Sequence, residues 1–109
     1  MMLLDKTIEY FAAFSNKDID SLRKMFSENI CLRDWELNVC GIEDVVLANS
    51  NIFNLVEDIL VTPMKLYQQD STVIAEIEIL INQKEKLLVT DIIEYSKDKK
   101  IKSIRAYKG

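Results

Sequence analysis

Tyr10, Asp34 and Asp91 are a phenol and two carboxylic acids, spread along the chain so that nothing local makes them meet. Gathered in one apolar cavity, they would be equipped to move a proton next to a carbonyl. One acid would stay ionised and take the proton. The other would stay neutral and, with the phenol, hold the oxygen on which charge develops. The chain contains no histidine, which excludes Ser-His and Cys-His relays and a histidine base. Two cysteines without histidine cannot make the usual zinc site. Cys31 and Cys40 fit no metal spacing and are expected to be reduced, small apolar fillers. With Gly41 and Gly109 as the only glycines, there is no glycine-rich phosphate loop. The residues call for no cofactor and no metal.

The elements that must position the three residues follow from periodicity. Residues 2 to about 14 read as a helix, with Leu4, Ile8, Phe11 and Ala12 at helical spacing. Asp18 reads as the N-cap of a second helix, Ile19 to Phe26. From Asn29 to Trp35 the period becomes two, so Asp34 shares a face with Ile30 and Leu32. A loop leads to Gly41, and residues 42 to 56 suit a third helix with Val45, Val46, Asn49, Ile52, Phe53 and Val56 on one stripe. Strands follow over 59–68, with Pro63 marking an edge or bulge, over 73–81, 87–95 and 101–107. Asp91 alternates with Leu87, Val89, Ile93 and Tyr95, so both acids sit on otherwise apolar faces. The order α-α-β-α-β-β-β-β describes an α+β fold over residues 1–109, read as one domain.

Composition bounds the partners. Hydrophobic residues are 49% and charged residues 29%, a globular balance. No apolar run approaches the ~20 residues of a membrane helix. Met1 to Leu4 is too short for a signal-peptide core, so a cytoplasmic protein is expected. A net charge of −4 argues against nucleic acid, and Lys97, Lys99, Lys100 and Lys102 read as a solvated turn. Leu88, Ile92, Ile74 and Leu80 put apolar surface on the back of the sheet, where a homodimer through the sheet is expected.

The stretch Tyr10-Phe-Ala-Ala-Phe-Ser-Asn-Lys-Asp-Ile-Asp-Ser-Leu-Arg-Lys-Met-Phe26, followed by Ser27-Glu28-Asn29-Ile30-Cys31-Leu32-Arg33-Asp34, resembles the opening of the nuclear transport factor 2-like superfamily. The closest likeness is to its SnoaL-like and ketosteroid-isomerase-like branch. Asp91-Ile-Ile-Glu-Tyr95 and Lys100-Ile-Lys-Ser-Ile-Arg-Ala-Tyr107 resemble its closing strands. The resemblance implies a cystatin-like α+β barrel, a cone-shaped curved antiparallel sheet wrapped around three N-terminal helices.

It also implies a small-molecule-binding protein, and roles for the three residues. Asp34 would be the proton-shuttling base, with Tyr10 and a protonated Asp91 as donors to the oxyanion. The chain would then be a cofactor-free isomerase, or a related lyase, acting on a small apolar or aromatic carbonyl compound. The alternative is a non-catalytic ligand-binding or dimerisation domain of the same fold. Phe14, Trp35, Phe53, Met64, Ile104 and Ala106 are expected at the pocket wall, beside Phe11 and Ile52. Trp35 stands where isomerases favour proline, and would either cap the pocket or fill it. No histidine matches that of SnoaL-type cyclases or scytalone dehydratase. An Asp-Arg-Asp set would need Arg33 or Arg105, which alternation points outward.

Overall fold

The computed structural model describes residues 2–109. Helix α1 (Leu3–Ser15) buries Thr7, Tyr10, Phe11 and Ala13. It stops where Lys17 enters the left-handed backbone region at φ 54°. There the Lys17 N–H donates to Phe14 O and the Asp18 N–H to Ala13 O, a Schellman closure usually built on glycine. Asp18 caps α2 (Ile19–Met25) as expected, accepting from the Ser21 N–H. Phe26 does not continue α2. It turns extended and begins β1 (Phe26–Arg33) without a loop.

The segment read as a loop contains a strand, β2 (Asn38–Cys40), antiparallel to β1. It is too short, and too little buried, to leave an alternation in the sequence. Its effect is to set Cys40 opposite Cys31, with Cα atoms 4.0 Å apart, and the two form a disulfide. They are therefore not the reduced fillers expected. Gly41, at φ 94°, turns the chain into α3 (Ile42–Leu55). The end of α3 is closed by Lys17, whose Nζ donates to Phe53 O at 3.0 Å, Val56 O at 2.6 Å and Glu57 O at 3.0 Å.

Strands β3 (Ile59–Gln69), β4 (Thr72–Ile81), β5 (Glu85–Tyr95) and β6 (Ile101–Lys108) follow as hairpins. The sheet order is β2-β1-β6-β5-β4-β3. Because β6 lies parallel to β1, the sheet is mixed, not the antiparallel one expected. It is also open, ending at β2 and β3, so no barrel closes. Helix α1 packs mainly on β3 and α3 on β1, with α2 between the helices. Val73, Ala75, Ile77, Val89 and Ile93 form the buried face beneath them. In β3 the register slips between Pro63 and Lys65, so Met64 has no partner on β4. An edge strand tolerates both the proline and the bulge.

Candidate functional site

Between the helices and the sheet lies a cavity of about 690 Å³, and Tyr10, Asp34 and Asp91 all line it. That volume falls in the range of sites for drug-sized molecules. Asp91 reaches it because β5 lies in the sheet's middle and alternation turns it to the same side as Val89 and Ile93. Its register partners are small, Ala75 on β4 and Ala106 on β6, which leaves space around the carboxyl. Burial, and then the negative charge of Asp34, raise the Asp91 carboxyl from 3.8 to about 7. Sequence reasoning expects Asp91 to stay neutral. With that value the carboxyl is mostly neutral below pH 7, half ionised near it and mostly charged above it.

Tyr10 comes from the buried face of α1, its ring packed 6.1 Å from Phe14 and 6.3 Å from Phe26, centroid to centroid. Burial, followed by the charge of Asp91, holds its hydroxyl well above the usual tyrosine range, so it remains a donor. Among the described residues neither the Tyr10 hydroxyl nor the Asp91 carboxyl has a hydrogen-bond partner. Tyr95, on the same face of β5, is different: its hydroxyl is 2.7 Å from Thr7 Oγ1 and is committed there.

Asp34 follows β1 directly. One carboxylate oxygen, Oδ1, accepts from the Glu36 and Leu37 N–H groups, both at 2.7 Å, and so shapes the turn into β2. The other oxygen is free of that turn. Asp34 therefore has a structural task whatever else it does.

Phe14, Trp35, Ile104 and Ala106 line the cavity, as do Phe11 and Ile52. Trp35 caps the cavity instead of filling it: it is 41% exposed, with Lys108 Nζ 5.3 Å from its ring centroid. Phe53 and Met64 are not on the wall. Phe53 is buried behind Phe14, edge to face at 4.8 Å between centroids. Met64, at the bulge, faces out and is 54% exposed. Arg33 and Arg105 point away as expected, Arg33 to Tyr107 and Arg105 to Glu94. An Asp-Arg-Asp set is thus not assembled.

Leu37, Val39 and Asn49 are among the lining residues that sequence reasoning does not place at the wall. Leu37 and Val39 come from the turn into β2 and from β2 itself. Asn49, one residue of the α3 stripe, is a buried amide that lines the cavity. A polar residue on an apolar stripe was the signal available for it. Among the described residues no cluster suits a metal ion, and no helix is long and apolar enough to cross a membrane.

No protein-family model matches the chain. No curated protein matches it in sequence. Solved structures do match in shape. An NTF2-like protein of unknown function from Cytophaga hutchinsonii ATCC 33406 superposes with a TM-score of 0.85 at 15% identity, over 100% of this chain and 91% of that one. A SnoaL-like protein of unknown function from Burkholderia thailandensis E264 gives 0.84 at 11% identity, over 98% and 93%. SalBIII, an epoxide hydrolase/cyclase-like enzyme of pyran ring formation in the polyether salinomycin, gives 0.78 at 20% identity, over 98% and 90%. At these identities the likeness concerns the fold and not the activity. The chain has the fold of the nuclear transport factor 2-like proteins, in the form shared with SnoaL-like and ketosteroid-isomerase-like structures.

Proposed function

We propose that the cavity binds a small, largely apolar carbonyl compound and that the protein shifts a proton next to the carbonyl, without a cofactor. The ionised Asp34 takes a proton from the carbon beside the carbonyl. The electrons of the broken C–H bond pass to the carbonyl oxygen, which becomes an enolate held by Tyr10 and protonated Asp91. Asp34 then returns the proton to a conjugated carbon, so atoms and charge balance. Each preorganised donor to such an oxyanion is typically worth ~3–4 kcal/mol in the transition state.

The observation that carries this reading is the meeting of Tyr10, Asp34 and an unpaired Asp91 in one cavity. A second reading, a ligand-binding module without turnover, is favoured by the turn bonds that occupy Asp34 Oδ1. In both readings the protein pairs with a second copy through the outer sheet face, where Leu60, Tyr67, Leu88 and Tyr107 are exposed. The Cys31–Cys40 disulfide weighs against a cytoplasmic location, because such bonds persist in oxidising compartments.

Binding of naphthols and phenols of graded acidity, followed through the single tryptophan Trp35, tests the oxyanion site. Affinity should rise with acidity and fall in Tyr10→Phe and Asp91→Ala. Asp34→Asn should abolish turnover and, at pH 5 where Asp91 keeps its proton, spare binding. An absence of binding across the whole series overturns both readings of the cavity.

A further inference from the structure

Asn49 sits on the buried stripe of α3 with Val45, Val46 and Phe53. It is 2% exposed and lines the cavity, and its Nδ2 has no hydrogen-bond partner among the described residues. An unpaired amide in the interior loses its hydrogen bonds to water without replacement and so destabilises the fold. A leucine would continue the stripe without that penalty. The other two buried polar side chains are accounted for, Thr7 by Tyr95 and Asp91 by the oxyanion site. No partner among the described residues explains the amide, whereas a partner inside the cavity would.

We propose that Asn49 is a second polar anchor, which binds a ligand oxygen other than the one held by Tyr10 and Asp91. This rests on the reading of the cavity given above and narrows its substrate class. The ligand carries an apolar body with two oxygen functions, one at the oxyanion site and one facing α3. The amide's terminal torsion is soft, so it can offer either its N–H group or its carbonyl to that second oxygen. The second oxygen belongs to a hydroxyl or carbonyl, not a carboxylate. Asp34, Glu36, Asp44 and Glu85 all line the cavity and would repel an anion, against Lys108 as the one basic residue among the described lining.

The test compares 2-naphthol with the dihydroxynaphthalene isomers on the native protein and on Asn49→Leu, followed through Trp35 fluorescence. At least one isomer should bind the native protein about tenfold tighter than 2-naphthol, the gain of one good hydrogen bond. In Asn49→Leu that ratio should fall to about one. Thermal melting of unliganded Asn49→Leu should show a raised Tm, because the unpaired amide is gone. If 2-naphthol binds but no isomer gains, or the gain survives in Asn49→Leu, the anchor is overturned while the oxyanion site stands. A lowered Tm would overturn it too, by showing that the amide serves the fold. A hydroxynaphthoic acid that binds tighter than every diol would overturn the neutral second oxygen. If no naphthol binds, the oxyanion reading fails, and the anchor with it.

Discussion

Asp34, just past the end of β1, raises the carboxyl of Asp91 on β5 through its negative charge, second only to burial as a cause. The two acids line one cavity and influence each other electrostatically. The charge of the half-buried Asp34 helps the buried Asp91 to keep its proton.

This has a stability consequence whose sign is fixed. Asp91 titrates near 3.8 when unfolded and near 7 when folded, so the folded state holds its proton more tightly. Its contribution is complete below about pH 4 and is lost as pH rises through 7. At about 1.4 kcal/mol per pH unit, the loss over that window is roughly 4 kcal/mol. Asp91→Asn should flatten it. Urea midpoints at pH 5 and pH 8 should therefore differ less in the variant than in the native protein, and equal differences would refute the burial of Asp91.

Ligand binding should follow the same proton. A phenol already ionised across the range should bind best below pH 7 and lose up to about tenfold in affinity per pH unit above it, as Asp91 ionises. In Asp34→Asn the neighbouring charge is gone and Asp91 ionises earlier, so the break should move to lower pH. A break that stays in place would show that the two acids do not communicate.

Lys17 joins two helix ends, its backbone closing α1 and its ammonium closing α3. Lys17→Met should destabilise by about 1–2 kcal/mol, because three carbonyls lose a charged donor. For a domain of this size that is a Tm lower by about 5–10 °C. Lys17→Gly suits φ 54° better but has no ammonium, and should also melt lower. A glycine variant as stable as the native protein would mean that the side chain's bonds contribute nothing.

The disulfide closes a short loop from Cys31 to Cys40. By loop entropy its reduction should cost about 2–3 kcal/mol. Because Leu37 and Val39 of that loop line the cavity, naphthol affinity should drop as well. Denaturation and Trp35 titration with and without a reductant measure both effects. Unchanged affinity would show that the hairpin keeps its shape without the bond.

The legible parts of the chain were those where period and burial agree. Val73, Ala75 and Ile77 alternate cleanly, and so do Val89, Asp91 and Ile93, which is why Asp91 could be aimed inward from sequence. Burial on that apolar face is the larger cause that raises its carboxyl. Pro63 marked the edge strand and its bulge, whereas nothing in the alternation showed that Met64 is the residue left without a partner. Strand β2 is only three residues long, and the disulfide depends on it. Phe14 and Phe53 look alike as helical aromatics, and only packing puts one at the wall and the other behind it. Asn49 was visible as a residue, but its lack of a partner is a property of the folded neighbourhood.

The parallel pairing of β6 with β1 sets an order for synthesis. Until residues 101–108 have left the ribosome, β1 has no neighbour in the sheet except the three residues of β2. The contacts that complete the sheet span most of the chain, and such distant pairings form slowly. Asp34 follows β1, and Ile104 and Ala106 belong to β6, so the cavity wall is assembled last. A nascent chain therefore has no working half. A molecule that filled the cavity could stabilise the fold only once β6 has been made.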